Sequence, residues 1–208
     1  MSNKVRKDEG LQQAQFLAAK LDPDPAHSVH VCALASQLFD ATTSVHGLNL
    51  RERLLLQAAA LLHDTGHSVD PLIHHKKSRD IILASKLTGY TKNEMRIVAC
   101  IARYHRKAHP KPDHKIYRDL DPEAQEVVRR LAALLRIADG LDRSHTSSAR
   151  SLHFETTDLG FRIVVTQCSP NDTDLGGANR KRGLFEEVFG KPVEIAGISA
   201  KVELKVIS

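Results

Sequence analysis

At residues 61–68 the chain reads LLHDTGHS, an apolar helical run that stops in His63 and is followed at once by Asp64. Two more potential ligands close apolar stripes elsewhere. His27 precedes Val31, Leu34 and Leu38, and Asp139 follows Leu135 by four residues. Spacings of three and four hold such residues on one face of a helix, so each is expected to point inward from a different helix. His105, after Val98 and Ile101, repeats the arrangement. Burying an ionised carboxylate costs several kcal/mol or more unless it is paired, hydrogen-bonded or bound to a metal. Asp139 therefore needs a cation. Arg136 and Arg143, three and four residues away, are the candidates on its own helix, and any one histidine on an apolar stripe is ordinarily a satisfied core residue. Taken jointly, His27, His63, Asp64 and Asp139 suit one divalent ion. Imidazole nitrogen with carboxylate oxygen fits Mn, Fe, Co, Ni or Zn, with Mg possible.

Positioning these residues requires helices. Apolar spacing predicts them over 9–20, 26–45, 50–64, 76–88, 92–105 and 122–143, with the proline-bearing stretch 108–122 as a loop. DPDP at 22–25 starts the second, Gly66 ends the third, and Gly89 divides the fourth from the fifth. After about Ser144 the pattern changes. SLHFET and FRIVVTQ read as strands around a DLG turn, ANRKRGLFEEVFG as one amphipathic helix closed by Gly190, and PVEIA and KVELKVI as further strands. The expected class is mainly α: a helical metal-binding domain over 1–145 and a small α+β subdomain over 146–208. All the candidate ligands precede that appendage, which is expected to pack on the helices without holding the chemistry.

With 208 residues the chain can bury a core of its own. Aromatic residues make up 4% and apolar residues 41%, a balance that favours aliphatic helix packing. Three isolated cysteines form neither a disulfide framework nor a CxxC zinc site, which points to a reducing cytoplasm. The N-terminus has no signal-peptide core, and the longest apolar run is too short to span a bilayer, so no membrane partner is expected. The net charge of +5 favours an anionic partner. The basic stretches 103–115 and 179–183 lack the interleaved aromatics of a single-strand binding surface, which ranks nucleic acid below small phosphorylated ligands.

His27, the His63–Asp64 pair and the distant Asp139 resemble the HD superfamily of metal-dependent phosphohydrolases. HSVHVCALASQLFD, LLLQAAALLHDTGHSVD, IARYHRKAHP, LLRIADGLDRSH and LFEEVFGK are similar to the C-terminal HD-type region of exopolyphosphatase and guanosine-pentaphosphatase (Ppx/GppA) relatives, over roughly residues 26–196. In HD proteins with two metals further histidines follow the pair, which the resemblance carries to His75 and His105. HHKKS permits His74 or His75, and His75 is preferred because related sequences place the histidine three residues before a small residue, here Ser78. Those relatives also carry an actin-like phosphatase module ahead of this region, where the sequence has only 25 residues. Catalysis is therefore expected of the HD kind.

The resemblance implies hydrolysis of a phosphate ester of a nucleotide or other small phosphorylated compound. One or two metal ions would activate water, with Asp64 and His63 at the catalytic centre. Lys76, Arg79, Arg106 and Lys107, chosen by their nearness in sequence, are the expected phosphate-binding cations. The rival is a regulatory module that binds metal and a phosphorylated ligand without turnover. The sequence leaves the oligomeric state open.

Overall fold

The computed structural model describes residues 3–200. Its helices are α1 (Asn3–Leu21), α2 (Pro25–Ala41), α3 (Thr43–His46), α4 (Leu50–Leu62), α5 (His74–Ala84), α6 (Lys92–Arg103), α7 (Lys115–Arg118), α8 (Pro122–Gly140), α9 (Asp172–Lys181) and α10 (Gly183–Phe189). Strands β1 (Ala149–Thr157) and β2 (Gly160–Gln167) precede α9, and β3 (Val193–Ser199) follows α10. The protein is mainly α with a small α+β C-terminal part, as expected. No helix of the described residues is long and apolar enough to cross a membrane.

Local chemistry fixes the starts of the helices that matter. Asp24 caps α2 by accepting from the His27 N–H, with Pro25 in the first turn. Asn49 with Glu52, and Thr91 with Glu94, form capping boxes on α4 and α6. Asp121 caps α8 ahead of Pro122. The second predicted helix ends earlier than expected. Thr42 turns both its N–H and its hydroxyl onto the Leu38 carbonyl, and the chain restarts as the single turn α3.

The core lies where α2, α4, α6 and α8 meet, around the fully buried Leu34, Leu38, Leu56, Ile101, Leu131 and Leu135. Burying each such side chain contributes roughly 1.5–3 kcal/mol. Between α4 and α5 the chain makes a 3-10 turn, Thr65–Ser68, pressed against α5. The Gly66 N–H donates to Ser78 Oγ at 2.9 Å. A β-carbon on Gly66 would stand 2.3 Å from the His74 carbonyl oxygen and 2.5 Å from the Ser78 nitrogen. Gly66→Ala is expected to lower stability by about 1–3 kcal/mol through overpacking. An unchanged urea midpoint would show that the turn can move away from α5.

In the C-terminal part, β1 and β2 pair antiparallel with Phe154 opposite Ile163, and β3 joins β2 in parallel with Ile195 opposite Ile163. The α9–α10 pair makes the crossover and packs on α8. Residues 178–190 form parts of two helices rather than one, because the chain breaks at Arg182–Gly183. α9 begins at Asp172, where Asn171 accepts from the N–H groups of Thr173 and Asp174. Gly176 and Gly177 weaken the helical signal there, yet Gly177 is what lets α9 dock. A β-carbon on Gly177 would fall 2.4 Å from the Gly140 carbonyl oxygen, and one on Gly140 2.6 Å from Ala178. Buried Leu184 and Phe185 complete the contact, with the Phe185 ring edge-on to Phe161. The predicted strand at KVELKVI lies outside the described residues.

Candidate functional site

Five chain segments deliver six polar side chains to one point. His27 comes from the first turn of α2, His63 and Asp64 from the end of α4, and His74 from the start of α5. His105 follows α6, and Asp139 stands in the last turn of α8. All six are buried. His27 Nε2 stands 3.6 Å from Asp139 Oδ1 and 3.9 Å from Asp64 Oδ2, while His63 Nε2 is 3.6 Å from Asp64 Oδ2. On the other oxygen, Asp64 Oδ1 lies 3.3 Å from His74 Nε2 and 3.6 Å from His105 Nε2.

The opposite edge of each imidazole is tied down. His63 Nδ1–H donates to the Ala60 carbonyl at 2.7 Å, His105 Nδ1–H to Ala102 at 2.7 Å, and His74 Nδ1–H to Pro71 at 2.9 Å. His27 Nδ1–H donates to Asp142 Oδ2 at 2.8 Å. Asp142, absent from the residues read off the sequence, is itself held by the Ser147 N–H on its other oxygen. Four rings thus turn Nε2 towards the two aspartates. His63 Nε2 and Asp64 Oδ1 are fully buried without a hydrogen-bond partner among the described residues.

Electrostatics reflect the crowding. Burial opposes charge on His27, but the carboxylates of Asp139 and Asp142 outweigh it and raise the imidazole to about 10. Burial likewise opposes charge on Asp64, yet the facing His63 and His105 hold it at about 2. Asp139 is driven well below the usual carboxylate range despite its burial, first by Lys181 and then by His27. Burial drives His105 well below the usual imidazole range.

The structure places the other expected residues differently. His74, not His75, meets Asp64. Successive helical residues diverge by about 100°, so only one of the pair can face the aspartates. His75 is buried behind the site, its ring edge-on to His74 at 5.9 Å and its Nδ1 without a partner among the described residues. Burial and the nearby Arg106 push it down to about 4. Arg106 reaches the cleft and contacts His74. Lys76, Arg79 and Lys107 are not in the lining: Arg79 pairs with Asp80, and Lys107 Nζ donates to the Leu72 carbonyl at 3.1 Å. Arg136, an expected partner of Asp139, instead donates to the carbonyls of Tyr104 and Lys107, bracing the turn that presents His105.

The cation that meets Asp139 is Lys181, from the part of the chain expected to hold no chemistry. With Arg143 and Arg180 it lines a cavity of about 400 Å³ that also contains His67 and His145. No short-range signal in the sequence joins position 181 to 139; their meeting depends on the docking of α9.

Three overlapping groups have ligand atoms close enough for an ion: His27, His63 and Asp139; His63, Asp64 and His105; and Asp64, His67 and His74. The spacings suit a bound ion. Donors about 2.0–2.2 Å from one ion lie roughly 3–4 Å apart, and the unpartnered His63 Nε2 and Asp64 Oδ1 are of the donor types such an ion accepts.

No curated protein matches the chain. A family model described as Ppx/GppA phosphatase, domain III, matches residues 11–170, a stretch that contains every one of the convergent imidazoles and both aspartates but stops before α9. This chain therefore belongs to the Ppx/GppA phosphatase domain III family.

Proposed function

We propose that the cleft is an HD-type metal centre that hydrolyses a phosphate ester of a nucleotide or other small phosphorylated compound. His27, His63, Asp64, His74, His105 and Asp139 are the ligands. The observation that carries this reading is the orientation of four imidazoles: each is fixed by an Nδ1–H donated outwards, and each presents Nε2 to Asp64 or Asp139. Metal-binding histidines have this anchoring, which fixes ring orientation and raises ligand basicity. Imidazoles that merely filled a core would not need to converge on carboxylates.

A divalent ion here supplies Lewis acidity toward a phosphoryl oxygen and lowers the pKa of water. Asp64 belongs to two of the candidate ion-holding groups and offers both of its oxygens, Oδ2 towards His63 and His67 and Oδ1 towards His74 and His105, so one carboxylate can serve both groups. Arg106, Arg143 and Arg180 border the same cavity and can hold phosphate oxygens by paired N–H donors. The helices behind the site exclude water from its back while the cavity leaves the front open.

The test begins with metal analysis of protein purified without chelator, then a phosphate-release screen over nucleotides and other phosphoesters. His27→Ala and Asp139→Ala are each expected to lose at least about nine-tenths of the metal, on the scale of the 10- to 100-fold losses seen when even supporting contacts are removed, with circular dichroism still helical. Full metal retention in both would sink the ligand assignment. Metal and inorganic phosphate binding without release of phosphate from any substrate would favour the regulatory alternative.

A further inference from the structure

Lys181 reaches the centre from the last turn of α9, beyond the stretch that the family match covers. Its ammonium contacts Asp139 Oδ2, while Asp139 Oδ1 faces His27 Nε2 at 3.6 Å and His63 Nε2 at 4.0 Å. One oxygen of a proposed ligand is therefore held by an organic cation, and the other looks towards the imidazoles. A divalent ion on Asp139 and an ammonium on the same carboxylate repel each other at close range, with little water between them to screen the charges. α9 itself cannot retreat far, because Gly177 and Gly140 are in backbone contact. The lysine side chain can move: it is one-fifth exposed and borders the cavity shared with Arg106, Arg143 and Arg180.

We propose that Lys181 is an exchangeable counter-ion: it neutralises Asp139 until a divalent ion binds, and is then displaced into the cleft, where it positions an anionic group of the substrate. The proposal rests on the metal-centre reading above. It makes metal and anion binding mutually reinforcing, since each favours the lysine position that the other needs. The contrary role is a permanent support that orients Asp139. Loss of such a support weakens metal binding, commonly by about 10- to 100-fold, so the two roles predict opposite signs.

The experiment is calorimetric titration of the full chain with Mn²⁺, with and without inorganic phosphate, for wild type, Lys181→Met and Lys181→Arg. Removing the competitor should tighten Mn²⁺ binding by Lys181→Met about tenfold, within the roughly 5- to 150-fold range of ordinary coupling between sites. Lys181→Arg should bind Mn²⁺ more weakly than wild type, because a guanidinium grips a carboxylate with two parallel N–H groups. Phosphate should tighten Mn²⁺ binding in wild type and do so much less in Lys181→Met. Thermal melting should show Lys181→Met destabilised without metal and equal to wild type with saturating metal. Unchanged or weaker Mn²⁺ binding in Lys181→Met overturns the proposal, as does phosphate coupling that survives intact. Should Lys181→Met fail to fold, wild-type affinity in Lys181→Arg overturns it. Failure of wild type to bind Mn²⁺, by contrast, removes the metal-centre reading itself.

Discussion

Asp64→Asn is expected to lower metal-dependent phosphate release by more than about 100-fold while the helical circular dichroism is retained. Asp64 Oδ2 faces His27, His63 and His67, and Oδ1 faces His74 and His105, all within 4 Å. Asparagine keeps the shape but exchanges one oxygen for an amide that can only donate, and it removes the negative charge that offsets bound cations. Supporting contacts to a metal site are commonly worth about 10- to 100-fold; a ligand shared by two groups should exceed that. The scaffold should tolerate the change, because Asp64, although it stands at the N-cap position of the Thr65–Ser68 turn, makes no cap hydrogen bond with its side chain. Retention of more than about a tenth of the wild-type rate at saturating metal would contradict catalysis at this centre.

The second large effect is on stability. Phe185→Ala should cost about 3–5 kcal/mol, the usual loss for a fully buried aromatic side chain. In a domain of this size each kcal/mol moves the melting midpoint by about 2–4 °C, so a downward shift of roughly 6–20 °C is expected by calorimetry. Phe185 lies beneath the sheet, against Phe161 and with Phe189 at 4.5 Å, while α10 rests on α8. One continuous hydrophobic cluster runs from the four central helices to β2 and β3. The variant should therefore melt in a single transition. A separate early transition, with the main one unmoved, would show that the C-terminal part unfolds independently.

Much of this was legible because helical periodicity and capping are local. Asp24 before Pro25, Asn49 before Leu50, Thr91 before Lys92 and Asp121 before Pro122 mark helix starts within the sequence itself. The stripes ending in His27, His63, His105 and Asp139 likewise disclose which side chains face inward. His74 against His75 was not legible, since the phase of a helix depends on its first residue, and α5 begins at His74 with no side-chain cap to announce it. Nearness in sequence does not decide which cations border the cavity. Lys107 adopts a left-handed backbone with φ 57° and sends its side chain towards Leu72, whereas Arg143, Arg180 and Lys181 arrive through tertiary packing. Asp142 carries no local signal, because a carboxylate three residues beyond another resembles an ordinary polar helix end, and its partner His27 lies 115 residues away.

The seat of Gly177 on the Gly140 carbonyl sets a practical limit on transplantation. Because bare backbone meets bare backbone there, the width of the cleft is gauged by the absence of two methyl groups, and a catalytic constellation tolerates errors of only about 0.5 Å. A chimera that takes its C-terminal part from another protein could keep every aspartate and histidine of the centre and still lose it, if either seat carried a side chain. Holding both glycines is thus the first specification for any exchange of that segment, ahead of matching its surface or its charge.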